Sequence, residues 1–124
     1  EQMNESMSEF QLQQDFGWGQ KAEVFRRTHD ARRTLERLEH QQIGGQSISR
    51  AAREMRDLHE ESMVIHASGP GHQFSHSYQE RLERVERTVS TVASASPAAA
   101  QIVADMEFDM NLSVRLRTAG LIAQ

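Results

Sequence analysis

The sequence contains no cysteine, only two prolines and one lysine, and no long apolar run. Without cysteine the chain has no disulfide, no thiolate zinc site and no cysteine nucleophile. No stretch approaches the roughly 18 consecutive apolar residues that mark a membrane-spanning helix. The chain also does not open with the basic and apolar regions of a signal peptide. We therefore expect no direct membrane insertion, and the sequence indicates no particular compartment.

Sequence motifs of the main kinds of enzyme chemistry are absent as well. The chain has no Gly-rich phosphate loop, no Gly-x-Ser-x-Gly elbow and no His-Glu-x-x-His. Asp105 and Asp109 are four residues apart, but carboxylates at that spacing are common on helices and do not indicate acid–base catalysis. We expect a protein that is not an enzyme and that needs no cofactor.

The composition is poor for a self-sufficient globular core. The 124 residues fit one domain or part of one. Hydrophobic residues make up 37% of them and the mean hydropathy is -0.68. Much of the apolar fraction is alanine, which buries little area. A short chain of this kind often completes its core against a partner or against copies of itself, so we expect a protein partner or a homo-oligomer.

Acidic residues are concentrated at the start of the chain. The acids that precede the first base, and that account for the whole formal charge of -4, are Glu1, Glu5, Glu9 and Asp15. We predict that residues 1–19 form a flexible acidic arm and that residues 20–124 form a single helical domain. Trp18 either packs onto the start of the first helix or inserts its indole into a partner pocket.

Three segments repeat small and apolar residues at steps of four and three, which is typical of amphipathic helices with a narrow packing seam. We predict helices over about 20–42, 46–66 and 72–94, with Ser47 as the N-cap of the second. The short connection at Gly44 predicts antiparallel packing of the first two helices. The seam positions are Val24, Thr28, Ala31, Leu35, Leu38 and Gln42; Ile48, Ala51, Met55, Leu58, Ser62 and Ile65; and Phe74, Tyr78, Leu82, Val85, Val89 and Val92.

The C-terminal segment has two interpretations. Ser96 and Pro97 form a helix start signal, so we predict a fourth helix over about 97–118. Residues 107–117, however, alternate polar and apolar side chains, which is typical of a half-buried strand. The predicted fold class is therefore all-α, a bundle of three or four amphipathic helices with coiled-coil-like seams. In the alternative, residues 106–118 form an edge strand.

In either conformation this segment has more apolar side chains than one seam accommodates. We predict that residues 106–122 form the main contact with another copy or another subunit, with Phe108 and Met110 as central anchors. The predicted partner-binding residues are Phe108, Met110, Leu112, Val114, Leu116, Leu121 and, in the N-terminal arm, Trp18.

Histidines and arginines offer two further possibilities. His72 and His76 are four residues apart, and His59 and His66 lie on the other side of a Gly-Pro-Gly bend, so neutral imidazoles could bind zinc there. The preferred interpretation is that they are exposed surface histidines, because no closed four-ligand spacing is present. The Arg-Arg pairs of the first helix suggest nucleic acid, but neighbouring acids offset their charge, so we expect none to bind.

The last twenty-five residues, with Met106-Glu107, Met110, Val114, Leu116 and Leu121, resemble the C-terminal helix of inner-rod subunits of type III secretion systems. The resemblance covers about a fifth of the chain and rests on spaced aliphatic residues. It implies a helical protomer that polymerises around an export channel. The first helix is more charged here than that family suggests, and no functional residue is carried over.

From these observations we expect a non-enzymatic structural or adaptor subunit of a larger macromolecular assembly, which acts through helix–helix packing. The first alternative is a protomer of a bacterial secretion apparatus. The second is a small metal-binding helical bundle that uses His59, His66, His72 and His76.

Overall fold

The computed structural model describes residues 18–69 and 71–123, and for Trp18 and Gly19 it describes the backbone alone. The predicted arm therefore lies outside the described residues, apart from the two that open the first helix. The helices of the described part are α1 Trp18–His40, α2 Gly45–Ala67, α3 His76–Ala95, α4 Pro97–Asp105 and α5 Leu112–Thr118. The all-α prediction is confirmed. The alternative prediction of an edge strand at 106–118 is wrong. None of these five helices is long and apolar enough to cross a bilayer.

The first two helices pack antiparallel, as the short connection predicts. The hydroxyl oxygens of Thr28 in α1 and Ser62 in α2 are 3.1 Å apart. Glu36 of α1 forms an ion pair with Arg56 of α2 nearer the connection. Every predicted seam position of the three long segments is buried, except for the half-buried Ile65 and Val92 and the exposed Gln42. The heptad spacing thus identifies the core correctly, because side chains at that spacing line one side of a helix.

The third helix lies antiparallel on α2. The Tyr78 hydroxyl donates to the Leu58 carbonyl over 2.9 Å, and burial raises the pKa of this phenol far above its usual range. Helix α3 begins four residues later than predicted. The reason is that Phe74, just before it, pairs its backbone with the end of the chain: its N–H donates to the Leu121 carbonyl and its carbonyl accepts from Ala123, both at 2.7 Å.

The predicted single helix over 97–118 is wrong in its middle, because α4 ends at Asp105 and α5 begins at Leu112. Between them Glu107 takes a left-handed conformation with φ 58°. Its N–H donates to the Ala104 carbonyl and the next N–H, of Phe108, donates to Val103, both at 3.1 Å. This is a Schellman termination. The turn directs Phe108 into the core, where it is 7% exposed.

The two helix starts predicted from capping signals have opposite outcomes. The Ser96 hydroxyl caps α4 by accepting from the Ala99 N–H, with Pro97 in the first turn, so this prediction is confirmed. Ser47 does not cap α2, because the helix already begins at Gly45. The Ser47 hydroxyl instead donates to the Gly44 carbonyl.

Two helices end on a left-handed residue that is not glycine: Gln42 after α1, with φ 59°, and Glu107 after α4, with φ 58°. This conformation costs a non-glycine residue about 1–2 kcal/mol, and glycine adopts it without that strain. Part of this advantage of glycine is cancelled, because glycine has more conformational freedom in the unfolded state. We expect Gln42→Gly and Glu107→Gly each to raise the free energy of unfolding by about 0.5–1 kcal/mol. The measurement is urea denaturation, with Gln41→Gly as the control. This neighbour has no positive φ, so its change to glycine should destabilise, and equal losses at 41 and 42 would contradict the prediction.

Candidate protein-binding surface

Residues 88–104 contain no charged side chain, 17 residues in a row in a chain of which 26% are charged. They form the last two turns of α3, the junction at Ser96 and almost all of α4. Solvent-facing sides of helices ordinarily carry charges. We call the exposed members of this run the neutral surface; they are Ser90, Thr91, Ser94, Ala95, Pro97, Ala98, Ala100, Gln101 and Ala104.

A groove of about 360 Å³ runs between α3 and α4 within the neutral surface. Its walls are made mostly of alanine and serine. Small side chains let the backbone of a docking helix approach closely, and alanine walls have little polar surface to desolvate. The residues that line it are Ser90, Ala93 and Ser94 from α3, Ala100, Val103 and Ala104 from α4, and Glu107, Phe108 and Met110 from the turn that follows.

Phe108 and Met110, the two predicted anchors, both line this groove. The Schellman turn at Glu107 places them there, since it reverses the chain at the end of α4 and brings the next residues back against α3. Phe108 is almost fully buried and Met110 is half-buried. Phe108 therefore supplies a rigid floor, and Met110 supplies a flexible side chain that adapts to an occupant.

The other predicted contact residues of this segment lie apart from the groove. Leu112, Leu116 and Leu121 are buried in the core of the chain itself, at 3%, 1% and 1% exposure, whereas Val114 is 44% exposed on α5. The premise that one chain cannot cover these side chains is wrong for the three leucines and for Phe108. Because the chain turns at Glu107, the segment that follows packs against the helices of its own bundle, which a single unbroken helix over 97–118 would not do. The side chain of Trp18 lies outside the described residues.

On the other side of the same turn the surface is charged and ion-paired. Arg115 of α5 donates to Glu23 of α1 over 2.7 Å and also binds Asp109. The Arg115 guanidinium is the main reason that the pKa of Glu23 lies below its usual value. The groove with its small walls thus has fixed charges beside it, and a charged or polar rim is usual at protein–protein interfaces.

The histidines of the metal-binding alternative, which was not the preferred interpretation, do not form a set of ligands. The His59 ring stacks on Phe25 at 4.8 Å and lies 5.6 Å from the His29 ring, whereas His72 and His76 are exposed. In residues 18–69 and 71–123 no group of three or more histidines and carboxylates is placed to hold a metal ion.

The electrostatics around His59 also work against a cation. The Arg32 guanidinium, which has only donors, lies 3.0 Å from His29 Nδ1, so this nitrogen is the acceptor and the proton of the neutral ring is on Nε2. Burial is the main cause of the lowered pKa of His59, and the positive charge of Arg32 adds to it. A metal ion here would have to displace the Arg32 contact.

Comparisons of the chain with protein-family models, with curated proteins and with solved structures find no match. The small residues of the groove, such as Ala93, Ala100 and Ala104, are the part of the site that the seam pattern misses. The signal that locates them in the sequence is the charge-free run itself, which ends at Ala104, just before Asp105.

Proposed function

We propose that this chain is a non-enzymatic adaptor subunit that binds a helix of a partner protein in the groove between α3 and α4. The observation that supports the proposal is the neutral surface: exposed helix surface without charge, around an apolar groove with small walls. Amphipathic helices bind in such grooves through a few apolar side chains at helical spacing.

The energetics require more than one contact. An aliphatic side chain fully buried in the groove contributes about 1.5–3 kcal/mol, while association itself costs an estimated 4–15 kcal/mol. The partner must therefore place several apolar side chains along the neutral surface, and Met110 and Phe108 alone do not suffice. A helix of three or four turns, lying parallel to the groove, supplies that number.

Photo-cross-linking in the source cells tests the proposal. A benzophenone amino acid replaces Ala104, which lines the groove, and, as the control, Arg53, which is exposed on α2 and lies outside it. We expect one protein to be cross-linked from position 104 and not from position 53. The same products from both positions would contradict the proposal.

The same experiment separates the alternatives. A secretion-apparatus protomer of the inner-rod kind packs on its own copies, so position 104 would yield multiples of the mass of this chain. A metal-binding bundle would instead contain stoichiometric zinc when purified without a histidine tag, and would lose it when His59 is replaced.

A further inference from the structure

Three buried polar residues join α5 to α3. The Glu86 carboxylate accepts from the N–H and from the hydroxyl of Ser113, and the Gln79 side chain donates to the Ser113 carbonyl over 3.3 Å. Gln79, Glu86 and Ser113 are 7%, 6% and 1% exposed. The polar groups of Ser113 are therefore all bound to side chains of α3, and the first turn of α5 is held from outside its own helix.

Helix α5 depends on this contact, because it has little stability of its own. It has seven residues, Leu112–Thr118, and an isolated helix of fewer than about 12 residues is at best marginally stable in water. Its N-cap residue, Asn111, makes no side-chain capping bond. Glu86 takes the place of that cap, since it accepts from the N–H of Ser113, the second helical residue.

Few large apolar side chains hold α5 in place. Its buried ones are Leu112 and Leu116, whereas α2 buries Ile48, Met55 and Leu58 completely. Segments that bury less apolar surface open locally at a lower free energy than the whole chain needs to unfold. We therefore expect α5 to detach before the three long helices do.

The ends of the segment confine such an opening. The Schellman turn at Glu107 precedes it, and the backbone pairing of Phe74 with Leu121 and Ala123 follows it. We call residues 108–118 the α5 flap, closed when Ser113 is bound to α3 and open when it is not. The flap includes Phe108 and Met110, which line the groove between α3 and α4, so opening removes part of that groove.

The Glu86 carboxylate has no cation bound to it. It forms no ion pair within residues 18–69 and 71–123. Burial is the main cause of its raised pKa, the hydrogen bonds from Ser113 act against this, and the charges of Asp109 before α5 and Glu83 on α3 raise the pKa further. An ionised Glu86 is therefore costly in the closed flap.

The charged groups of the elements packed around α3 do not supply a cation either. Helix α4 has a single charged residue, the acid Asp105. Groups of α1, α2 and α5 at these interfaces are already paired: Glu23 with Arg27 and Arg115, Asp109 with Arg115, and Glu54 and Glu61 with Arg81 of α3.

We propose that the α5 flap opens and closes as a unit and that a proton on the Glu86 carboxyl holds it closed. In the open flap Glu86 faces water and ionises as an ordinary glutamate, whereas in the closed flap its charge is desolvated. The closed form is therefore favoured most below the ordinary pKa of a glutamate, and this advantage is lost as the pH rises through about 7. If the groove binds a partner helix as proposed above, on which this consequence rests, the partner binds the closed flap and acid pH favours binding.

Amide hydrogen exchange of the free chain tests the inference, with Glu86→Gln as the matched variant. The measured rate divided by the rate of the exposed amide gives the opening constant of each residue. For the amides of Ser113 and Arg115 we expect a larger opening constant than for Leu58 in the middle of α2. In the wild type it should rise by up to about tenfold per pH unit between about pH 5 and pH 7, and in Glu86→Gln it should stay constant. The Phe108 amide, which donates to Val103, should follow the amides of α5.

A second variant leaves Glu86 in place. Asp109→Asn keeps the oxygen that accepts from the Asn111 N–H and removes a charge that raises the pKa of Glu86. The opening constant should then stop rising at a lower pH than in the wild type, and an unchanged pH range would contradict the role of Glu86.

Three further results would overturn the inference. Equal opening constants for α5 and Leu58 would mean that the whole chain unfolds and that no flap exists. Equal pH dependence in the wild type and Glu86→Gln would exclude Glu86 as the group that holds the proton. A Phe108 amide with the opening constant of Leu58 would separate the groove from the flap. Since no partner is present in this experiment, each of these results leaves the proposed function to its own test.

Discussion

Alanine at position 44 is expected to lower the free energy of unfolding by roughly 2–5 kcal/mol, the sum of a backbone and a packing cost. Gly44 has φ +87°, and a Cβ built there would lie 2.2 Å from Cγ1 of Ile48 and 3.3 Å from Cγ2 of Val92. Ile48 is fully buried, so it has little room to move. The connection between α1 and α2 thus requires glycine for two independent reasons.

The neighbouring glycine is the matched control. Gly45 has φ +56°, but nothing lies within 4 Å of a Cβ built on it. Gly45→Ala should therefore cost only the backbone part, about 1–2 kcal/mol. Urea denaturation of both variants, followed by circular dichroism, separates the two costs. Equal losses in the two variants would show that Ile48 adapts and that the packing argument is wrong.

Glu86→Ala is expected to destabilise the chain by roughly 2–4 kcal/mol, because it removes the acceptor for two buried donors. Glu86 is 6% exposed on α3. Its carboxylate accepts from the N–H of Ser113 over 2.9 Å and from the hydroxyl of Ser113 over 2.5 Å. Gln79, two turns earlier on the same side of α3, donates to the Ser113 carbonyl. These bonds fix the first turn of α5 against α3, so the variant should lose order in α5 first.

The same carboxyl group makes stability depend on pH. Burial is the main cause that raises the pKa of Glu86 to about 7, and the negative charges of Asp109 and Glu83 add to it, whereas the hydrogen bonds from Ser113 act to lower it. The folded chain therefore binds this proton more tightly than the unfolded chain does. The stabilisation is complete below the ordinary pKa of a glutamate and is lost as the pH rises through about 7.

The pH effect is measured against Glu86→Gln, which has no proton to lose at this position. The difference in unfolding free energy, wild type minus variant, should fall between about pH 5 and pH 8, by at most about 1.4 kcal/mol per pH unit for one proton. A difference that stays constant or rises over this range would contradict the assignment of a raised pKa to Glu86.

The three long helices and their core could be predicted because heptad spacing is a local signal with a direct geometric meaning. Leu35, Met55 and Leu82 are buried where the pattern places them. The break at 106–111 could not be predicted in the same way. A left-handed Glu107 has no signature in the sequence, since glycine is the residue expected there. The alternation of polar and apolar side chains over residues 107–117 comes from a turn followed by a short helix, and this combination gives the same sequence pattern as a strand.

The candidate site was predictable in part. The sequence indicates Phe108 and Met110 as excess apolar residues, but it does not indicate the turn that buries Phe108 within the chain. The walls of the groove were not identified, because Ala100 and Ala104 are too small to count as apolar anchors. The sequence could not predict which histidines lie together, for another reason. His29 and His59 come close because of the register of α1 against α2, and residue spacing within one helix does not determine that register.

The claim that the neutral surface binds a partner helix is tested most directly with the partner protein that cross-linking identifies. This protein is purified, and its affinity for the Ala104→Arg variant is compared with its affinity for the wild type. Ala104 is exposed, so the arginine leaves the fold intact but has to be desolvated among apolar side chains when the groove is occupied. Calorimetric titration should give a Kd at least about tenfold above that of the wild type, a loss of about 1.4 kcal/mol. Ala67→Arg, at an exposed alanine of α2 outside the groove, should leave the Kd unchanged. Equal affinity of the wild type and Ala104→Arg would contradict the claim.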